Sequence, residues 1–193
     1  MPTRTTTPIV RPEPPTPEDY GLPTKARYTY DDYQQLPEGA PFQLIDGRLV
    51  MSPSPAFQHQ LIVSDLLARL SVFVRERGLG VAVTAPMDVR LGDDVVQPDV
   101  LFVAGARRAI IGEQEIEGAP DLVVEVLSPS NAYEDMQTKR LLYERHGVAE
   151  YWLVDPNLRT VEILTHEEAG FRRAAFAREE GAVTSRVLDG FAL

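Results

Sequence analysis

Asp121-Leu-Val-Val-Glu-Val-Leu127 is the stretch of sequence that decides the fold. Leucine and valine surround Glu125 on both sides, which is typical of a strand buried in a sheet. A carboxylate is costly to bury unless it is paired or bound to a metal, so Glu125 is a candidate functional residue. This stretch therefore predicts both a buried strand and a polar site within it.

A second carboxylate opens another apolar run, at Gln97-Pro-Asp-Val100. Val100, Leu101, Phe102 and Val103 follow Asp99 directly, and they predict a strand from Asp99 to Ala104. Asp99, like Glu125, therefore belongs to a strand that is otherwise expected to be buried.

A helix is predicted from about Asn131 to His146, ended by Gly147. At 100° per residue, Lys139 falls on the same face as several apolar residues and Tyr143, with Asp135 one turn away. A lysine in the middle of an inward-facing stripe needs an anionic partner.

Periodic and alternating runs predict the other elements. Apolar residues recur at helical spacing from His59 to Arg77, and a short capped helix is expected within residues 28–36. Asp46-Gly47 marks a hairpin turn within residues 42–50. Short runs rich in β-branched residues are expected to form strands, with one central sheet at their core: Val81–Ala85, Asp88–Leu91, Asp99–Ala104, Leu122–Leu127, Tyr151–Val154 and Thr160–Leu164.

The composition predicts one globular domain behind a tail. The chain has 193 residues and is 44% hydrophobic, which is enough to bury a core. Residues 1–26 are rich in Pro and Thr and are predicted to be disordered, so residues 27–193 are expected to form the domain. The absence of cysteine excludes disulfides, thiolate zinc sites and thiol nucleophiles.

The net charge limits the functions that the chain can serve. A formal charge of -10 argues against a protein that coats nucleic acid through a broad basic surface. No apolar run approaches the roughly 20 residues of a membrane helix, and none resembles a signal peptide. A cytoplasmic protein without membrane contact is expected.

Residue chemistry alone leaves two interpretations of the three polar side chains. In the first, Asp99 and Glu125 hold Mg²⁺, with the Val126 carbonyl as a further ligand, and Lys139 orients a water or neutralises charge on a phosphate. In the second, Asp99 caps a turn and Lys139 pairs with Asp135 or Glu125 without any catalysis. Both interpretations stay open at the level of sequence.

The ordered set of motifs resembles the Uma-type restriction endonuclease family of the PD-(D/E)XK nuclease superfamily. The resemblance runs over roughly residues 27–193. Its motifs are Ser52-Pro-Ser-Pro55, Gln97-Pro-Asp-Val100, Asp121 to Ser130, Asp135 with Lys139, and Val148 to Pro156. It implies an α/β (α+β) fold, with a mixed β-sheet core flanked by helices, and divalent-metal-dependent cleavage of DNA.

The resemblance also implies a role for each matching residue. Asp99 corresponds to the first metal ligand and Glu125 to the second acid, with Mg²⁺ as the expected cofactor and Mn²⁺ as a substitute. The family's strand lysine is missing, because Leu127 stands in its place, and Lys139 on the helix takes that role. Gln43 occupies a position where the family commonly has a glutamate.

Four residues are predicted to support this site: His59, Gln43, Asp135 and Tyr143. His59 is expected to bond near the start of its helix or to touch phosphate or metal. Nucleases that cut both strands often pair, so a homodimer is plausible. The alternatives to a DNA endonuclease are a catalytically silent interaction or assembly module and a metal-dependent hydrolase of RNA or a nucleotide.

Overall fold

The computed structural model describes residues 14–128 and 134–193, without the side chains of Glu134 and Asp135. Its α-helices in these ranges are Tyr30–Tyr33 (α1), Phe57–Arg77 (α2) and Glu134–Arg145 (α3). The strands are Phe42–Ile45 (β1), Arg48–Met51 (β2), Gly80–Thr84 (β3), Asp88–Leu91 (β4), Asp94–Val96 (β5), Val100–Ala104 (β6), Glu115–Glu117 (β7), Leu122–Val126 (β8), Glu150–Asp155 (β9), Thr160–Glu167 (β10) and Gly170–Arg178 (β11). In these ranges, no helix has both the length and the apolar character needed to span a bilayer.

The strands form two mixed sheets. Sheet A has the order β2-β1-β5-β4-β7, and sheet B has the order β11-β10-β9-β8-β6-β3. Parallel pairing occurs between β4 and β7 and between β8 and β9, and the other pairs are antiparallel. The predicted mixed α/β fold is therefore confirmed.

The prediction that β4 joins the strands of Asp99 and Glu125 in one central sheet is wrong. Leu91 pairs with Asp94 across the two-residue turn Gly92-Asp93, so the chain folds back at once into β5. Gly92 has a φ of 68°, which glycine adopts without strain. This hairpin brings β4 into sheet A and leaves β3, β6 and β8 in sheet B.

The side chains of sheet B alternate between its two faces, and both faces are buried. Val100, Phe102, Val124 and other residues of one face pack against α2 and the C-terminal segment. Residues of the opposite face, including Leu101 and Val123, pack toward sheet A and α3. Asp99 lies two residues before Leu101, and Glu125 lies two residues after Val123. Because every second side chain of a strand points to the same face, both carboxylates point toward α3.

The ordered part of the chain begins earlier than predicted. Disorder was expected through residue 26, but Pro17–Tyr20 form a 3-10 turn and Leu22 is buried. The Tyr20 ring packs edge-on against Phe42 at 5.5 Å, which gives this segment an apolar partner. The rest of the predicted tail, residues 1–13, lies outside the described part, as do residues 131–133 of the predicted second helix.

Candidate active site

The pairing of β6 with β8 brings the two carboxylates together. Val100 lies opposite Val124 in this antiparallel pair, so the next position along each strand is occupied by Asp99 and Glu125. The Asp99 carboxylate also accepts a hydrogen bond from the Val126 amide at 2.7 Å. The two acids that the sequence singled out therefore meet at one end of the β6–β8 pair.

Two side chains of helix α3 donate hydrogen bonds to Glu125. Lys139 Nζ and the Tyr143 hydroxyl both donate to Glu125 Oε1, at 2.9 and 2.7 Å. The two residues are four apart on one helix face, as the projection predicted, whereas Leu141 points into solvent. Lys139 therefore pairs with Glu125, while the side chain of its other predicted partner, Asp135, lies outside the described part of the structure.

Burial controls the charge state of this group. Glu125 is 8% exposed, and desolvation raises the pKa of its carboxyl, opposed by the Lys139 ammonium. Burial also raises the pKa of Tyr143 well above its ordinary range, so its hydroxyl keeps its proton and continues to donate. Removal of the Lys139 charge would therefore raise the pKa of Glu125 further.

His59, in the first turn of α2, contacts the other carboxylate. Its Nε2 lies 3.2 Å from Asp99 Oδ2. The hydrogen bond to Asp99 raises the pKa of His59, with smaller contributions from the Asp99 charge, the Val126 carbonyl and Glu125, and against the effect of burial. Its Nδ1 is buried and has no hydrogen-bond partner among the described residues. The predicted supporting residue therefore lies directly against the site.

Gln43 serves as a bridge between three segments. Its Nε2 donates to Ser52 Oγ at 2.6 Å, and its Oε1 accepts from the Gln97 amide at 3.0 Å. An ionised glutamate would keep the second of these bonds and, in place of the first, would accept from the Ser52 hydroxyl. The amide therefore ties β1 to the segment after β2 and to the residues that precede Asp99.

These residues lie in an open cleft of about 820 Å³. Asp99, Glu125 and Lys139 line it, and we call these three residues the polar floor. One wall comes from the segment 39–60, which includes the Ser52-Pro-Ser-Pro55 motif, and Gln43 and His59 lie in it.

Tyr151 also lines the cleft and was missed as a site residue by sequence reasoning. Its hydroxyl is buried without a partner among the described residues, and its ring packs against Tyr143 at 5.2 Å. Strand alternation could have found it, since Tyr151 pairs with Val123, two residues before Glu125 on the same face.

The donor set of the floor fits a hard divalent cation that keeps several waters. Asp99 Oδ1 and Glu125 Oε2 accept no hydrogen bond from the described residues, so each acid retains one oxygen for a ligand. Mg²⁺ is commonly bound through one or two carboxylates. A cation such as structural zinc requires a cage of several protein side chains. Within the same ranges, no group of three or more His, Cys, Asp or Glu residues could form such a cage.

A protein of known structure shares this fold. A crystal structure described as "a putative nuclease belonging to DUF820", from Anabaena variabilis ATCC 29413, matches with a TM-score of 0.73 and 24% sequence identity. The match covers 86% of this chain and 93% of that one, and it shows a shared fold.

The family model Uma2, described as "Putative restriction endonuclease", matches residues 30–193. The chain belongs to this family, which confirms the resemblance noted in its motifs. No curated protein matches the chain.

Proposed function

We propose that this protein is a metal-dependent endonuclease that hydrolyses phosphodiester bonds in DNA, with a polar floor that holds Mg²⁺ or Mn²⁺. The observation that carries the proposal is the meeting of Asp99, Glu125 and Lys139 in an open cleft, each from a different element. Membership of the Uma2 family supports the reaction class.

Each residue of the candidate site has a distinct role in the proposed reaction. Asp99 and Glu125 would hold the cation through their remaining oxygens, and the Val126 carbonyl at the same strand end is a candidate third ligand. A divalent cation there supplies Lewis acidity toward a phosphate oxygen and a water. Lys139 would release Glu125 and neutralise charge that develops on the phosphate. Tyr143 would keep Glu125 in position throughout, and His59 would do the same for Asp99.

A catalytically silent module is the second candidate, and two observations favour it. The ion pair between Lys139 and Glu125 already compensates the buried charge, so the fold does not need a metal to be stable. The net charge of -10 also disfavours binding to a polyanion.

One pair of measurements separates these candidates. Mn²⁺ and Mg²⁺ are titrated calorimetrically into the wild type, Glu125→Gln and Asp65→Asn, and cleavage is followed on supercoiled plasmid and on circular single-stranded DNA. Gln can still accept from Lys139 and Tyr143, so the fold should persist. Asp65 lies on the exposed side of α2, where it pairs with Arg69, and serves as a charge-matched control.

We expect Glu125→Gln to lose metal binding and cleavage together, while Asp65→Asn retains both. Lys139→Met should retain metal binding, because a competing cation is removed, and should lose cleavage. Undiminished cleavage by Glu125→Gln would rule out the assigned site. A wild type that neither binds metal nor cuts either substrate would establish the silent module.

A further inference from the structure

The cleft carries little positive charge for a site that acts on DNA. Among the described residues that line it, Lys139 and His59 are the ones that can be cationic. Lys139 is paired with Glu125, and His59 is bound to Asp99.

Duplex binding depends on neutralising backbone phosphates. Proteins that grip a duplex typically make about 6–10 phosphate contacts through Lys and Arg. Here, apart from the polar floor and His59, the described lining residues are uncharged, and Ile45, Val50, Met51 and Met136 are apolar. Such walls suit the sugar and base of an unpaired nucleotide better than the charged edge of a double helix.

An exposed aromatic residue lies beside this cleft. Phe57, the first residue of α2, is 84% exposed, so its ring is accessible to a ligand at the surface. Its neighbours Ala56 and His59 both line the cleft. A ring at such a position is what proteins use to stack the bases of single-stranded nucleic acid.

We propose that the cleft takes single-stranded nucleic acid, with Phe57 as the platform on which an unpaired base stacks next to the polar floor. This inference rests on the proposed nuclease function and narrows its substrate class. Stacking is available to every base, so binding should be tolerant of sequence. It also needs few phosphate contacts, which reconciles the site with an acidic protein.

Binding is measured by fluorescence anisotropy with a labelled strand of about 12 nucleotides. DNA, RNA of the same sequence and the blunt DNA duplex are compared, with Ca²⁺ in place of Mg²⁺. The variants are Phe57→Ala, Phe57→Trp and Phe176→Ala. Phe176 is the matched control, since it is also an exposed phenylalanine, 51% accessible, on β11.

We expect the single strands to bind roughly tenfold or more tightly than the duplex, because a paired base cannot stack on Phe57. Phe57→Ala should weaken single-strand binding by about 5- to 150-fold, whereas Phe57→Trp and Phe176→Ala should not. A preference for either DNA or RNA among the single strands supports the proposal and identifies the sugar.

Equal binding of duplex and single strand, or unchanged binding by Phe57→Ala, overturns the proposal. Its failure is distinguishable from failure of the nuclease function. Cleavage of plasmid and single-stranded circles at the same rate, lost in Glu125→Gln, would leave the nuclease and remove the single-strand preference. No metal-dependent cleavage of either would remove the nuclease function itself.

Discussion

His59 contacts Asp99 where the wall of the cleft meets the polar floor. The hydrogen bond to Asp99 is the main reason that the pKa of His59 is raised, and burial acts in the opposite direction. Because the pKa is higher in the folded protein, the protonated pair stabilises the fold fully below about pH 6.5. That contribution is lost as the pH rises through the folded-state pKa of His59.

Asp99→Asn should therefore lower the pKa of His59, since the main cause of its rise is removed while the burial remains. The measurement is an NMR titration of the imidazole resonances in metal-free protein. His146 is an internal control, because burial lowers its pKa first and the Arg145 charge second, and Asp99 is not among its causes. A His59 titration that does not change in Asp99→Asn would contradict the contact.

Individual site residues could be predicted to different extents. Asp99, Glu125 and Lys139 were found because a charged residue in an apolar run is a local signal that needs no tertiary information. Tyr151 gave no such signal, since a tyrosine in a strand is ordinary core. The bonds of Gln43 to Ser52 and Gln97 join segments distant in sequence, so they could not be predicted.

At the scale of elements, most of the helices and strands were predictable, whereas β5, β7 and β11 were not predicted. The predicted helix His59–Arg77 is observed as Phe57–Arg77, and β8 and β9 lie close to their predicted bounds. The strands β5 and β7 have three residues each and show no usable period. The strand β11 was missed because Arg172 and Arg173 interrupt its apolar residues, and its pairing with β10 is what orders it.

The C-terminal segment is held by a carboxylate that the sequence did not single out. Glu150, at the start of β9, is fully buried and accepts from Trp152 Nε1, Ser185 Oγ and the Arg186 amide. Leu188 and Phe191 then pack on the α2 face of sheet B, away from the polar floor.

Ser185→Ala should destabilise the protein by about 1–3 kcal/mol and leave cleavage unchanged. The hydroxyl donates to Glu150 and accepts from the Leu188 amide, so its removal leaves the buried Leu188 amide without this acceptor and takes one donor away from Glu150. The free energy of unfolding is measured by urea titration. Ser64→Ala, on the exposed side of α2, is the control and should change it by less than about 0.5 kcal/mol. If Ser185→Ala lost cleavage under conditions in which all of the protein is folded, the C-terminal segment would not be independent of the site.

For the whole molecule, a ligand that binds the native state raises the stability of every element. Mn²⁺ at about 100 times its dissociation constant should add about 2.7 kcal/mol to the unfolding free energy. For a chain of this size, that corresponds to a rise in Tm of roughly 5–10 °C.

The rise should be absent in Glu125→Gln. Sodium chloride of equal ionic strength is the necessary control, because a protein of charge -10 also responds to screening. A Tm that rises equally with both salts, or equally in both proteins, would show that no specific cation site exists.

The wall and the polar floor of the cleft are encoded in separate parts of the gene. Residues 39–60 supply the wall with Gln43 and His59, whereas Asp99, Glu125 and Lys139 all follow residue 97. A single recombination crossover between codons 60 and 85 would therefore exchange that wall and keep the floor intact. A chain made in this way would carry the same two acids and lysine inside a different wall.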